Sequence, residues 1–267
     1  MKVIILTTSV YGTTGHHLPV LLDCKDIEIA MVVVSGGQVS NRKNQYLKRI
    51  KKILKIGVLG TMNGIRMRKW YNEDINKYCK IQNTETFCNR HNIPFRKVPH
   101  TNSEETQKIF KETGADVGLS LGNGYISKKV FGIPRLGMLN IHHEVLPEYQ
   151  NAQSIIWELY NGSGETGYTI HKIDQHIDTG EIVLQEKMPL VFRDTLGDTV
   201  AYNYARLFDA SAQGLMRIFK DFDRYFYKGR PQGGQGISYT TPTFGQFMKI
   251  EKQFRKLKSG ALKNDTH

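Results

Sequence analysis

Residues 2–34 read KVIILTTSVYGTTGHHLPVLLDCKDIEIAMVVV. Lys2 to Thr8 is a short apolar, β-branched run. It is closed by Tyr11-Gly12-Thr13-Thr14-Gly15, a cluster of turn formers. His16 to Cys24 reads as a helix, and Ile27 to Val34 is a second run with no polar alternation. Strand, helix and buried strand in this order predict a parallel sheet. The pattern repeats downstream. Thr84 to His91 and Glu104 to Glu112 read as helices, and Pro94 to Val98, Val117 to Leu121 and Gly137 to His142 as strands. A helix is expected from Ala152 to Tyr160 and a further strand from Gly167 to Ile173. From about Pro189 the texture changes: Thr195 to Phe219 reads as a helix, and Gly229 to Gly234 as a turn-rich linker. The expected fold is α/β, a Rossmann-like open, mostly parallel sheet core with a small C-terminal appendage. The expected division is 1–188, a core carrying a basic insertion at about 41–70, and 189–267, a helical and β-hairpin appendage.

A chain of 267 residues, at roughly 150 per domain, is one large domain or one domain with an appendage. Its 39% apolar and 23% charged residues exclude wholesale disorder, collagen-like repeats and a coiled-coil rod. No run of apolar residues is long enough for a membrane helix. Met1 to Leu6 reaches Tyr11-Gly12 too soon for a signal peptide and reads as a first strand. Cys24, Cys79 and Cys88 form no Cys-x-x-Cys and no Cys/His spacing, so reduced thiols, a cytoplasmic setting and no zinc are expected.

The net charge of +12 is local. Between Ala30 and Tyr71 stand ten basic residues and no acid. The tail from Gly245 to His267 adds a net +4, and everything else sums to −2. The first patch is also helically patterned, with Leu47, Ile50 and Leu54 at i, i+3 and i+7. Such a helix covers an anionic ligand, lies on an acidic membrane or binds nucleic acid, or else is a plain surface helix.

The densest chemistry lies in Gly137-Met138-Leu139-Asn140-Ile141-His142-His143-Glu144-Val145-Leu146-Pro147. Asn140 and His142 are two apart on a strand, so both point to one face. The carboxyl end of a strand in an open α/β sheet is where ligands bind. Asn donates to a developing oxyanion, and His exchanges a proton near neutral pH. Asp178 in His176-Ile177-Asp178-Thr179-Gly180 is the candidate to orient that histidine, with Asp174 its competitor. A single Asp-Thr-Gly does not make an aspartic protease, which needs two carboxylates sharing a proton. His16-His17 and His142-His143 lack a cluster of further ligands, so no metal site is expected. The Gly12–Gly15 loop is either a phosphate cradle or a turn, and it matches neither G-x-G-x-x-G nor a Walker loop.

From Asp116 to about Leu184 the chain resembles the formyltransferase family that uses N10-formyltetrahydrofolate. The resemblance rests on Asn140-Ile141-His142, Leu146-Pro147-Glu148-Tyr149, Ala152, Trp157, Thr166-Gly167-Tyr168-Thr169-Ile170-His171 and Ile177-Asp178-Thr179-Gly180, in order and with spacing intact. It departs at His143-Glu144-Val145, where the family usually has Pro-Ser-Leu, and at Gln150-Asn151, where Arg-Gly or Lys-Gly is common. The resemblance implies a catalytic trio of Asn140, His142 and Asp178. His142 would act as general base, or hydrogen-bond the tetrahedral intermediate once protonated; Asn140 would hold the formyl oxygen, and Asp178 would orient His142 and help shuttle the proton. His171 stands behind them, as support or as a plain buried histidine. The folate is expected against Leu121, Gly122, Asn123, Gly124 and Tyr125 on one side and His176 and Ile177 on the other.

Three branches of the family compete over the acceptor. Glycinamide ribonucleotide enzymes lack so long an appendage. The methionyl-tRNA branch carries a C-terminal barrel, for which the last 80 residues look too short and too helical. The third branch formylates amino sugars carried on nucleotides, for surface polysaccharides such as lipopolysaccharide O-antigen, and it fits best: a 4-amino-4,6-dideoxyhexose on GDP or dTDP is the expected partner. Tyr149, Asn151 and Gln153 are the candidate sugar contacts. Gly12, Thr13, Thr14 and basic residues of 42–69 are candidates for the diphosphate. No nucleic-acid partner and no integral membrane segment are expected. A homodimer through Ile237–Phe247 is a reasonable expectation. A catalytically inactive basic scaffold or membrane-surface protein is the alternative from another class.

Overall fold

A computed structural model of the chain describes residues 1–38, 42–151 and 153–264, with the backbone alone for 42–46, 48, 49 and 262–264. In chain order the elements are β1 (Lys2–Thr7), α1 (Thr13–Leu22), β2 (Glu28–Ser35), α2 (Arg42–Asn72), α3 (Thr84–Arg90), β3 (Phe95–Val98), α4 (Glu104–Thr113), β4 (Val117–Ser120) and α5 (Lys128–Phe131). They continue with β5 (Met138–His142), α6 (Ile156–Tyr160), β6 (Glu165–Lys172), β7 (Ile182–Pro189), α7 (Leu196–Lys220), α8 (Phe222–Phe226) and α9 (Phe244–Asn264).

The strands form one sheet in the order β3-β2-β1-β4-β5-β6-β7. The first five are parallel, and β6 and β7 run antiparallel to their neighbours. Both faces are covered, which is why β1 is apolar on both faces from Val3 to Leu6. Its Val3 and Ile5 join a large core with Leu18 of α1 and Leu207, Leu215 and Ile218 of α7. Its Ile4 and Leu6 join a smaller one with Val33, Phe110 and Val130. Chain order reverses between β1 and β4, and a crevice opens at the carboxyl ends of strands at such a switch point.

The differences from the sequence reading have physical causes. α1 begins at Thr13, not His16, because Gly12 (φ 79°) turns the chain directly into the helix. In the basic segment, which holds three glycines, only Gly57 (φ 75°, ψ 171°) leaves helical geometry. Gly60 and Gly64 stay helical and admit the loop at Thr241-Pro242 against the helix. α6 begins at Ile156; Ala152 lies outside the described residues. β7 escaped the reading because it is an edge strand with a half-exposed, charged outer stretch. Beyond Pro189 the described residues form helices and two single-residue bridges, Arg230 with Ile182 and Ser238 with Gln150, in place of a hairpin. No described helix is long and apolar enough to cross a membrane.

Candidate active site

A cleft of about 260 Å³ opens at the carboxyl ends of β4 and β5. Asn140, His142, His171 and Asp178 line it, together with Gly122–Ile126 and the loop from Ile173 to Ile177. The antiparallel register of β6 places His171 directly opposite Asn140. His171 Nδ1 donates to the Lys172 carbonyl (2.9 Å), so its Nε2 is an acceptor for Asn140 Nδ2 (3.1 Å). That bond fixes which way the Asn140 amide faces.

His142 sits between two carboxylates. Its Nε2 lies 2.7 Å from the Tyr149 carbonyl oxygen and 2.9 Å from Glu144 Oε2, and its Nδ1 faces Asp178 Oδ2 at 3.7 Å. Burial alone would lower the His142 pKa. The hydrogen bond to Glu144, the charges of Glu144 and Asp178, and the bond to the Tyr149 carbonyl outweigh it and lift the value to about 9. The imidazolium is therefore the resting form at neutral pH. Burial would raise the Asp178 carboxyl, but the His171 side chain, the His142 charge and the Asn151 backbone N–H hold it below its ordinary value. Asp174, the competitor, accepts from the His176 N–H and the Thr179 hydroxyl and so caps its own loop.

Asp178 has φ 57°, and the turn behind it is possible only with glycine. A Cβ on Gly180 would stand 1.8 Å from the Lys172 carbonyl oxygen. The loop is pinned from outside: the Asp178 carbonyl accepts from Gln150 Nε2 (3.3 Å) and Gln232 Nε2 (3.0 Å), and the Gly180 carbonyl from Gln232 (2.8 Å). Gly180→Ala is expected to destabilise the protein by about 1–3 kcal/mol and to displace the Asp178 carboxylate, read as a lowered Tm together with a lowered kcat.

The other expected residues distribute unevenly. Gly122, Asn123, Gly124, Tyr125, His176 and Ile177 line the cleft, whereas Leu121 is buried beneath it in the core. Asn123 donates to the Leu6 carbonyl and Ser120 Oγ, and its buried Oδ1 has no hydrogen-bond partner. Apolar walls from Ile126, Ile173 and Ile177, with backbone amides between them, suit a flat heteroaromatic ring. Asn151 also lines the cleft, and its Nδ2 donates to Ser238 Oγ. The Tyr149 ring is buried against Tyr239, so what this residue brings to the site is its carbonyl. Thr14 is buried, with its hydroxyl donating to the Leu121 carbonyl, and the Thr13 carbonyl is taken by His17. Gly12 lines a neighbouring cavity with Tyr71 and Asn72, and Gln153 another with Arg68, Tyr71 and Asn72. The 237–240 stretch is bound to its own chain: the Ile237 carbonyl accepts from the Gln150 N–H, and the Thr240 carbonyl from the Trp157 indole. Among the described residues no group of His, Cys, Asp and Glu is arranged to hold a metal ion.

Three residues that shape the cleft were given no role by the sequence. Glu144, 1% exposed, was noticed only as a departure from the family's turn. Behind it Glu158, also 1% exposed, is held up at a pKa of about 8 by burial and by the charge of Glu144. Gln150 was likewise noticed only as a departure. Their roles depend on cross-strand and loop contacts that spacing does not encode.

The family model described as Formyl transferase matches residues 31–218, and the chain belongs to that family. It is 32% identical over 106 residues to the methionyl-tRNA formyltransferase of Bacteroides fragilis, covering 40% of this chain and 33% of that protein. It is 33% identical over 157 residues to the methionyl-tRNA formyltransferase of Thermosynechococcus vestitus, covering 58% and 46%. The matched stretches thus span less than half the length of these relatives. Among solved structures, the N-formyltransferase of Helicobacter canadensis with folinic acid and dTDP-3-aminofucose superposes with a TM-score of 0.54 at 15% identity, covering 96% of this chain and 80% of that one. The phosphoribosylglycinamide formyltransferase of Coxiella burnetii gives 0.57 at 14% identity, covering 90% and 99%. These two establish a shared fold.

Proposed function

We propose that this chain transfers a formyl group from N10-formyltetrahydrofolate to the amine of a nucleotide-linked amino sugar. The observation that carries the chemistry is the convergence of Asn140, His142 and Asp178 on one cleft beside the Gly122–Tyr125 loop. The folate, when bound, supplies an activated formyl carbon. Asn140 Nδ2, aimed by His171, donates to the formyl oxygen as it gains charge. His142, held protonated by Glu144, adds positive charge beside the same oxygen. Asp178, held ionised, takes the proton that the acceptor amine releases and returns it towards the leaving nitrogen.

The acceptor is assigned to the cavities around Gly12, Gln153 and Arg68, which share Tyr71 and Asn72. Arg68 suits a phosphate oxygen, with Tyr71 and Asn72 beside it. The side chains of Arg42 and Lys43, the other phosphate candidates, lie outside the described residues. Arg68→Ala is expected to raise the acceptor KM about ten-fold with the folate KM unchanged; an unchanged acceptor KM removes the assignment.

The methionyl-tRNA relatives favour a second reading, formylation of methionyl-tRNA. The deciding assay mixes the protein with N10-formyltetrahydrofolate and a panel of 3-amino and 4-amino nucleotide sugars plus methionyl-tRNA, and follows tetrahydrofolate release. Turnover on a sugar that is lost in His142→Ala supports the first reading. Turnover on methionyl-tRNA alone selects the second. No turnover and no folate binding overturns both.

A further inference from the structure

The catalytic reading leaves the basic segment largely unused. Lys51, Lys52 and Lys55 line none of the cavities of the site. Eight of the exposed large apolar side chains fall between Leu47 and Ile65. They are not scattered. Leu47, Ile50 and Leu54 stand at i, i+3 and i+7 on the first half of α2, and Val58, Met62 and Ile65 at i, i+4 and i+7 after the Gly57 bend. Leu54 is 78% exposed and Val58 70%. The inner side of α2 is already occupied: Ile56, Met67 and Trp70 are buried, and Trp70 packs on Phe247 of α9 and over Gly197 of α7. Beyond Gly57 the apolar residues are therefore the outer face of a helix whose core-facing side is satisfied, and before it every described side chain from Ile50 to Lys55 is exposed.

Charge separates the occupants of that face. Lys51, Lys52, Lys55, Arg66, Arg68 and Lys69 make no ion pair with any described residue, and no acid occurs between Ala30 and Tyr71. The fold adds to this patch by packing α9 beside α2, with its Lys252, Arg255 and Lys256 exposed. A second copy of the same face would bring like charges together. Nucleic acid would meet the charges but gives no return on a row of exposed Leu, Ile, Val and Met. The two arms of the stripe, Leu47–Leu54 and Val58–Ile65, each about 10 Å long at 1.5 Å rise and joined at the Gly57 bend, together present more apolar surface than a soluble nucleotide covers.

We propose that α2 is a membrane-surface anchor: it lies in the interface of an anionic bilayer, its aliphatic stripe at the acyl boundary and its lysines and arginines among the headgroup phosphates. This does not rest on the identity of the formyl acceptor.

The test is co-sedimentation of the full chain with phosphatidylglycerol-rich vesicles and with phosphatidylcholine vesicles, at low and high salt. Retention on the anionic vesicles, reduced but not abolished by salt, is expected. Each of Lys51→Gln, Lys52→Gln and Lys55→Gln should lower partitioning on the order of five-fold. The uncharged pair Leu54→Ser and Val58→Ser should lower it at least as far with Tm unchanged, since both side chains are exposed. Equal retention on both vesicle types, or none, overturns the proposal. So does retention that the Leu54/Val58 pair leaves intact while a single-stranded oligonucleotide strips the protein off, which would assign the patch to nucleic acid. A dimer broken by the same pair, with no vesicle binding, would assign the face to a second copy and overturn it equally.

Discussion

Replacing His142 by alanine lowers kcat for formyl transfer about 10²–10³-fold while folate still binds. The cleft walls proposed for the folate, Gly122–Tyr125 and Ile173–Ile177, do not depend on the imidazole. The imidazole is the positive group of the trio, 3.7 Å from Asp178 and beside Asn140 on the same strand face. In the proposed mechanism, removing it leaves Asn140 as the donor for the formyl oxygen and Asp178 without its cation. The measurement is single-turnover rate at saturating folate, with folate affinity by fluorescence titration. A variant that binds folate and turns over at the native rate would remove His142 from the chemistry.

Glu144→Gln should move the pH profile rather than simply lower it. Glu144 supplies the largest of the influences that raise His142 to about 9, and without it burial drives the imidazole towards neutrality. The alkaline limb of kcat therefore shifts down by at least about one pH unit, a loss of about two-fold or more at pH 8 that is recovered towards pH 6. Stability follows the same groups. His142, at about 9, and Glu158, at about 8, both sit above their ordinary values, so the native protein keeps protons that the unfolded chain has released. Their contribution is complete below their unfolded values and is lost as pH rises through 8 to 9. On the acid side, burial holds His17 near 3 and His143 low, so stability also falls as pH drops below about 6.5. Tm should peak around pH 6, and its alkaline fall should flatten in Glu144→Gln. A Tm lowered equally at every pH, with the kcat inflection in place, would reduce Glu144 to a packing role.

That Asn140 and His142 share one cleft was legible from local spacing, whereas Asp178 entered the trio through the family resemblance. Asn140 and His142 share a strand face by period two, and Asp178 belongs to a loop whose Gly180 cannot be another residue. The parallel core was legible for a similar reason: β1 and β2 are apolar on both faces, and only a sheet covered on both sides buries them. The choice of Asp178 over Asp174 needed the loop's conformation, because both residues follow the same strand and only one is consumed by its own turn.

What the sequence by itself determined is therefore periodic or local: the α/β core, the face shared by Asn140 and His142, and the concentration of positive charge in two segments. What only the tertiary structure decided depends on contacts between residues far apart in the chain. The antiparallel register of β6 sets His171 against Asn140, Gln232 and Gln150 pin the Asp178 loop, and Glu144 turns inward onto His142. The packing of α9 beside α2 joins two basic segments into one surface and leaves the aliphatic stripe of α2 facing outward. The physical reason is the same in each case: propensity and periodicity act over a few residues, whereas a pKa, a hydrogen-bond partner and an exposed face are properties of whatever the fold brings alongside.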